Sequence, residues 1–219
     1  MKKSEKSATS DVNSLNGQGG GNTARSTGGI KLVFFCGNPG KEYAKTRHNA
    51  AWMILQQLEK SETLSWQKKF KGIYSKSEKN NGVIFLKPEV YMNLAGESVS
   101  PALSFFKLLP ENIVVCHDDI ELDFGVVSLK YGGGAGGHNG LRSISKMVGT
   151  NNFYRFRVGV SRPAFGKVDA HVLGRFSNDE EAILPLYMEK AASKLECFLT
   201  NPDERKKAEG TKIKLLDKI

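Results

Sequence analysis

Histidine, aspartate and asparagine side chains stand directly after apolar runs in this chain. Asn38 follows the run Ile30–Phe35, and Asp118 and Asp119 follow the β-branched run Ile113–Cys116. A histidine can take a proton from water near neutral pH, and a carboxylate on its second ring nitrogen fixes the useful tautomer. Amides donate and accept hydrogen bonds together, so they can pair with a peptide backbone. These residue types suit a hydrolysis in which a side chain deprotonates the attacking water.

Other polar residues have the same relation to the apolar runs. His48 lies just before the first predicted helix, and the segment Pro88–Asn93 follows the predicted strand Gly82–Leu86. His138 and Asn139 follow a further strand across a glycine-rich loop. Ligands of open α/β sheets bind outside the carboxyl ends of the strands. If these strands are parallel, all of these side chains lie at one edge of the sheet and line one cleft.

Each candidate also has a purely structural interpretation. Asn38 belongs to a Gly-Asn-Pro-Gly turn, Asn93 is a candidate N-cap for the helix after it, and His48 could be a solvated loop residue. We expect His117 to be a packed residue at the end of a strand and His171 to be structural. Taken together, these interpretations do not explain why so many amides and imidazoles collect at one edge.

The glycine-rich loop, residues 132–137, satisfies the G-x-G-x-x-G pattern between a strand and a helix. A nicotinamide site requires an acidic residue about 20 positions further on. The segment Tyr154–Arg157 is basic there, so the sequence argues against a dinucleotide site. We expect a flexible loop with an exposed backbone. With Lys130 and Arg142 beside it, such a loop suits a phosphate-bearing ligand.

Strand and helix patterns alternate along the chain, which predicts an α/β fold. We expect a single domain with a mixed, mostly parallel twisted sheet flanked by helices. The predicted strands are Ile30–Phe35, Gly72–Ser77, Gly82–Leu86, Ile113–Cys116, Val126–Tyr131 and Phe156–Val160. The predicted helices are Asn49–Lys60, one capped by Asn93, Asn139–Val148, and one from Ser177 or Asn178 to about Leu199.

Residues 1–29 differ from the rest of the chain. They contain six Gly and five Ser, with Val12 and Leu15 as the only large aliphatic residues. Such a segment cannot bury enough apolar surface to offset the entropy of ordering, so we predict a disordered tail. The folded domain is predicted to span residues 30–219.

Composition excludes several classes of protein. There is no run of about 18 apolar residues, so no membrane-spanning helix is expected. Three cysteines without a C-x-x-C pair argue against a disulfide framework and a structural zinc site, and suit a reducing compartment. The net charge of +9 favours a nucleic-acid partner. The C-terminal stretch Asp203–Lys218 has six basic and four acidic residues. We interpret it as a solvated helix face, and a site for tRNA is the alternative that stays open.

Six motifs, taken in order, resemble the bacterial-type peptidyl-tRNA hydrolase family. The resemblance extends from Ile30 to about Phe176 and departs from the usual pattern at Ala135 and Asp119. The motifs are Gly37-Asn38-Pro39-Gly40, Glu42-Tyr43, Thr46-Arg47-His48-Asn49, Tyr91-Met92-Asn93, His117-Asp118-Asp119 and the segment GGGAGGHNG at 132–140.

This resemblance implies an activity and a set of roles. It implies a monomeric, cytoplasmic hydrolase without a cofactor or a metal. The implied reaction is cleavage of the ester between a peptide and the terminal ribose of tRNA. Under the resemblance, His48 is the catalytic base, Asp118 orients it, and Asn93 is the third catalytic residue. The implied substrate-binding residues are Asn38, Tyr43, Met92, Asn93, His138 and Asn139, and the implied tRNA-binding residues are Lys130 and Arg157. We add Arg142 to the expected tRNA-binding residues because it lies beside the glycine-rich loop.

Two other functions remain open at this point. A non-catalytic RNA-binding relative would share the basic face, and an ester-hydrolysis assay distinguishes it. An acyl hydrolase acting on a small ester would ignore nucleic acid, and competition by uncharged tRNA distinguishes that case.

Overall fold

The computed structural model describes residues 29–216, so the predicted tail lies outside the described residues except for Gly29. The strands are β1 Leu32–Phe35, β2 Gln67–Lys69, β3 Gly72–Ser77, β4 Val83–Pro88, β5 Ile113–Asp119, β6 Val126–Tyr131, β7 Tyr154–Gly159 and β8 Lys212–Lys214. The helices are α1 Ala50–Ser61, α2 Gly96–Phe106, α3 Asn139–Val148, α4 Val168–Val172, α5 Asn178–Thr200 and α6 Pro202–Ala208. All eight strands form one sheet, in the order β2-β3-β4-β1-β5-β7-β6-β8.

The centre of the sheet is parallel, as expected for a mixed, mostly parallel core. Strand β1 pairs in parallel with β4 and β5, and β5 pairs in parallel with β7. Antiparallel strands β2, β3, β6 and β8 extend the sheet on both sides. The carboxyl ends of β1, β4 and β5 therefore meet at one edge.

The prediction that all the polar candidates lie at one edge of the sheet assumed parallel strands, and β6 does not fit that assumption. It runs antiparallel to β7, with Tyr131 at its end paired to Tyr154 at the start of β7. Its carboxyl end therefore lies at the opposite edge from the carboxyl end of β5. The loop of residues 132–137 must fold back across the sheet before α3 begins. Gly132, Gly133, Gly136 and Gly137 in that loop have positive φ angles, which glycine adopts without a steric cost.

Two apolar layers cover the two faces of the sheet. In β1, Val33 and Phe35 contact the layer that includes α1 and α5, whereas Leu32 and Phe34 contact the layer with α2 and α3. All four side chains are fully buried, which explains why this strand is a continuous apolar run. Burying a side chain of this size contributes roughly 1.5–3 kcal/mol. The covered central strands are thus a rigid support for the polar residues at their ends.

Side chains cap three of the described helices. The Asn201 side chain caps α6 by accepting from the N–H groups of Asp203 and Glu204. Ser177 caps α5: its hydroxyl accepts from the Glu180 N–H, and Glu180 accepts from the Ser177 N–H. This reciprocal pair is a capping box, and it places the start of α5 at one of the two positions that the sequence predicted. The His138 side chain caps α3 by accepting a hydrogen bond from the Leu141 N–H.

The prediction of Asn93 as an N-cap is wrong. Asn93 lies inside a short 3-10 helix, Met92–Leu94, and α2 begins three residues later at Gly96. Backbone bonds within the 3-10 turn replace a side-chain cap, and Asn93 itself is exposed. The predicted helical face of the C-terminus is also only partly correct, because α6 ends at Ala208 and β8 follows it. In the described part of the chain, no helix is long and apolar enough to cross a membrane.

Gly159 is the position in the sheet where a side chain is least tolerable. A Cβ there would lie 2.0 Å from the Asp123 carbonyl oxygen and 2.7 Å from that of Val126. Backbone atoms cannot move aside cheaply, so we predict that Gly159→Ala lowers the free energy of unfolding by about 3 kcal/mol. Gly134→Ala is the control, since no atom lies within 4 Å of a Cβ at that position. Denaturant titration of both variants measures the difference, and equal stabilities would contradict the prediction.

Candidate active site

Asp118 is the centre of a buried polar cluster at the end of β5. Its Oδ1 lies 2.8 Å from Nδ1 of His48 and 3.1 Å from Nε2 of His138. The residue is only 3% exposed. Two imidazoles from distant parts of the sequence therefore meet on one carboxylate oxygen. The sequence placed Asp118 beyond the strand, whereas it is a paired residue of the strand itself.

The hydrogen bonds fix the proton positions on both rings. Nδ1 of His138 accepts from the Leu141 N–H, so its Nε2 carries the hydrogen that is donated to Asp118. In His48, Nδ1 donates to Asp118, which leaves Nε2 as the nitrogen with a free lone pair. His48 also lines a cavity of about 470 Å³. This arrangement presents an unprotonated imidazole nitrogen to a ligand or water in that cavity.

The electrostatics agree with this tautomer. Burial alone would raise the pKa of Asp118, but the charges and hydrogen bonds of His48 and His138 outweigh it and hold that pKa well below its usual range. Burial alone would lower the pKa of His48, but the Asp118 carboxylate outweighs it and raises that pKa above 6.5. Asp118 is therefore ionised, and it stabilises a proton on His48.

His117 differs from its neighbours in the cluster. Burial, assisted by His138, lowers its pKa to about 3, so the ring is neutral near neutral pH. Its Nδ1 donates to the Asp118 carbonyl oxygen at 2.7 Å. The packed position predicted for His117 at the end of a strand is confirmed, since the residue is 3% exposed. His171 also has a structural contact, because its Nε2 donates to backbone carbonyls of Val160 and Ser161.

His48, Asp118 and His138 are also a possible metal-ligand set. One ligand atom from each residue lies within 4.8 Å of the others. Spacing rules could not detect this group, because its members are separated by 70 and 20 residues in the sequence. Both nitrogens that face Asp118 carry hydrogens in the bonds described above, and a metal needs their lone pairs instead. The geometry therefore fits a hydrogen-bonded triad better than a metal centre.

A tether from the C-terminal half of the domain holds the segment that carries His48. Arg47 donates to Glu180 Oε2 at 2.6 Å and to the Arg175 carbonyl oxygen, and its guanidinium lies 5.1 Å from the Phe176 ring centroid. Thr46 also forms a β-bridge with Arg175. The same Glu180 carboxylate belongs to the capping box of α5. No sequence pattern indicates this tether, because its partners are more than 125 residues apart.

Asn38 is positioned by a second asparagine that the sequence reasoning did not single out. The Asn49 side chain accepts from the Asn38 N–H at 2.8 Å and donates to the Asn38 carbonyl oxygen at 3.0 Å. The Asn38 side chain in turn accepts from the Met92 N–H at 2.8 Å. Asn38 therefore fixes the turn that carries Met92 and Asn93.

The turn at Met92 packs directly against the start of α3. A Cβ on Gly140 would lie 2.8 Å from Met92 Cγ and 3.0 Å from His138 Cε1, so only glycine allows this approach. Tyr43 reaches the same region, with its ring 6.3 Å from that of Tyr91.

The structure divides the sequence-predicted residues into two adjoining groups. One group lines the cavity: His48, Asp118, His138, Asn139, Lys130 and Arg157. The other group lies outside that lining: Asn38, Tyr43, Met92, Asn93 and Arg142. In the second group Asn38 and Met92 are buried, whereas Asn93 and Arg142 are exposed.

The basic residues near the cavity differ in what they contact. Arg157 Nε donates to Asp119 Oδ2 at 2.7 Å, and both side chains are largely buried. Lys130 is exposed, and Arg142 reaches Asn139 Oδ1 at 3.3 Å. Arg155, which the sequence reasoning did not select, is buried and donates to the carbonyl oxygens of Gly133 and Gly134. Arg155 therefore anchors the glycine loop that was expected to be flexible.

The chain is similar in sequence and in structure to known peptidyl-tRNA hydrolases. The protein-family model described as peptidyl-tRNA hydrolase matches residues 32–215. The peptidyl-tRNA hydrolase of Treponema pallidum is 44% identical over 182 residues, covering 80% of this chain and 90% of that protein. The corresponding Bacillus cereus (strain Q1) protein is 42% identical over 176 residues, covering 79% and 95%. The crystal structure of peptidyl-tRNA hydrolase from Acinetobacter baumannii has a TM-score of 0.74 at 36% identity, covering 82% of this chain and 92% of that one. These matches confirm the resemblance found in the motifs, and the chain belongs to the peptidyl-tRNA hydrolase family.

Proposed function

We propose that this protein hydrolyses the ester that joins a peptide to the terminal ribose of tRNA, and that His48 is its general base. The observation that carries the proposal is the buried Asp118 carboxylate, which leaves His48 Nε2 unprotonated at the cavity. A general base of this kind contributes roughly 10²–10⁴-fold to the rate. The membership of the family supports the choice of substrate.

The reaction follows from the proton positions. His48 Nε2 removes a proton from a water as the water oxygen attacks the ester carbonyl carbon. The imidazolium that forms is stabilised by Asp118, which lies 2.8 Å from Nδ1. When the ester C–O bond breaks, the same proton passes to the ribose oxygen that leaves. The products are a free peptide carboxylate and tRNA, so no external acid or redox partner is needed.

The amides next to the triad suit the peptide. Asn93 and Asn139 are exposed, and they follow Met92 and His138, two residues whose side chains both lie close to Gly140. Amide groups can pair with a peptide backbone without reading its side chains. We assign Asn93 to the catalytic set, as a donor to the carbonyl oxygen in the transition state. We assign peptide binding to Asn38, Tyr43, Met92, Asn93, His138 and Asn139.

The cations at the cavity suit the tRNA phosphates. We assign this role to Lys130, Arg157 and Arg142. Lys130 and Arg157 both line the cavity that contains His48, and they lie on neighbouring strands. Contacts of this kind make substrate binding depend on salt concentration. We further propose that the enzyme acts as a cytoplasmic monomer without a metal or a cofactor.

The first test removes the base. We predict that His48→Ala lowers kcat by about 10²–10⁴-fold in the hydrolysis of a blocked aminoacyl-tRNA, while the thermal melt stays close to that of the parent. Free imidazole added to the variant should restore part of the rate. A chelator should leave the parent's rate unchanged. Near-normal turnover by folded His48→Ala would remove His48 from the role of base, and metal-dependent recovery after chelation would overturn the mechanism.

The second test uses pH. His48 must be neutral to accept a proton, and Asp118 raises its pKa above 6.5, so kcat/KM of the parent should fall as the pH drops through that raised pKa. Asp118→Asn removes the carboxylate charge, so this acid limb should move to lower pH. The plateau should fall by about 10²-fold or more, because an amide can stabilise the wrong tautomer. A limb at the same pH in both proteins would argue against the pairing of Asp118 with His48.

The third test concerns the phosphates. Lys130→Ala and Arg157→Ala should each raise KM more than they lower kcat, and should flatten the plot of log KM against log salt by about one unit or less. Arg157→Ala also leaves Asp119 without its ion-pair partner, so it should lower stability. The double change Arg157→Ala with Asp119→Asn should recover stability but not KM. A small ester without the tRNA body should be cleaved equally by parent and variants, and unchanged KM values would place the tRNA elsewhere.

A further inference from the structure

The basic residues of the cavity continue onto a strand that the sequence reasoning assigned to a solvated helix. Arg157 of β7 pairs with Ser128 of β6, and Ser128 pairs with Lys212 of β8. Residues that are paired across neighbouring strands point to the same face of a sheet. The Lys212 side chain therefore projects from the same face as Arg157, two strands away. At about 4.8 Å between strands, this separation is about 10 Å.

The alternation of side chains along β8 supports this orientation. Ile213 and Leu215 pack against the apolar layer that contains α5. Successive side chains of a strand point to opposite faces, so Lys212 and Lys214 face away from that layer. Val126, which pairs with Lys214, alternates in the same way with the core residue Val127.

These cations form one continuous surface that starts at the cavity. Lys130 pairs with Arg155, two residues along the strands from the pair of Ser128 and Arg157. Lys130, Arg155 and Arg157 all line the cavity. The edge strand β8 adds two exposed lysines to the same face. We call this surface the basic sheet face: Lys130, Arg157, Lys212 and Lys214. Arg155 is not counted in it, because it is buried and bonded to the glycine loop.

The two lysines of β8 have free charges, in contrast to the cations of the adjacent helix. Across residues 29–216, neither Lys212 nor Lys214 forms an ion pair with an acidic side chain. On α6, by comparison, Lys207 pairs with Glu204 at 3.1 Å and Arg205 donates to the Phe198 carbonyl oxygen. The charges of β8 are therefore available to a polyanion that lies along the sheet.

We propose that β8 forms the outer part of the tRNA-binding surface, with Lys212 and Lys214 contacting phosphates of the base-paired arm of the substrate. The inference rests on the proposed function. An ester held at His48 places the end of the tRNA in the cavity, and the rest of the polyanion must leave over the surface next to it. The basic sheet face is continuous with the cavity, so it provides that path. Lys130 and Arg157 hold the inner phosphates, and β8 holds phosphates further from the ester.

The test compares two double variants of the full chain. Lys212→Ala with Lys214→Ala should raise KM for a peptidyl-tRNA by about 5- to 20-fold, leave kcat unchanged, and flatten the log–log salt plot by about one to two units. The matched control is Lys60→Ala with Lys76→Ala, which removes the same charge from α1 and β3, at the other side of the sheet. The control should keep the parent's KM and salt slope.

Two further measurements distinguish the loss of phosphate contacts by Lys212 and Lys214 from local unfolding of β8, and from failure of the proposed hydrolase function. Lys212→Arg with Lys214→Arg keeps the charges, so it should keep the parent's KM. A peptide ester of the 3′-terminal trinucleotide is too short to reach β8, so all variants should cleave it at the parent's rate. An unchanged KM and salt slope in the double alanine variant would overturn the inference while the proposed function stands. Failure of the parent to cleave either substrate would instead overturn the proposed function.

Discussion

The buried carboxylate of Asp118 constrains the rest of the active site. An ionised group that is 3% exposed is unfavourable unless hydrogen bonds compensate for the lost water. Here the compensation comes from two imidazole N–H groups on a single oxygen. Each of these donors must be delivered from another part of the chain, so the segment before α1 and the start of α3 are fixed relative to the end of β5. The catalytic geometry is thus a consequence of satisfying one buried charge.

The need to place His48 and His138 beside Asp118 explains two irregular segments of the fold, the one before α1 and the glycine loop before α3. The tether through Arg47 holds the segment that carries His48. Its partner Glu180 also caps α5, so the start of α5 fixes the position of that segment. His138 arrives after a loop whose positive φ angles require glycine, and Arg155 anchors the carbonyl oxygens of that loop. A guanidinium on backbone carbonyls fixes the loop without bringing a further carboxylate next to Asp118.

The sequence was sufficient for what is local, and insufficient for what depends on distant partners. The sequence pattern predicted β1, β6 and α3 almost to the residue. The apolar run of β1, the alternation of β6 and the single apolar face of α3 are each encoded within the element. The pairing of His48 with Asp118 was also accessible, because strand ends collect at one edge of a parallel sheet. The direction of β6 was not accessible, since a strand's apolar pattern is the same in either direction. The contacts of Asn49, Arg155 and Glu180 were missed for a related reason. The type of a polar residue does not indicate which distant residue it contacts in the folded protein.

The neighbouring aspartates show how one strand separates two kinds of chemistry. Successive side chains of β5 point to opposite faces, so Asp118 turns towards the imidazoles and Asp119 turns towards Arg157 on the basic sheet face. The carboxylate beside His48 therefore faces away from Arg157, and the pKa of His48 stays raised by Asp118. On the other face, Asp119 orients Arg157 and offsets part of its attraction for an anion. Because the strand alternates at each residue, His48 and Arg157 line one cavity while each is paired with a different carboxylate.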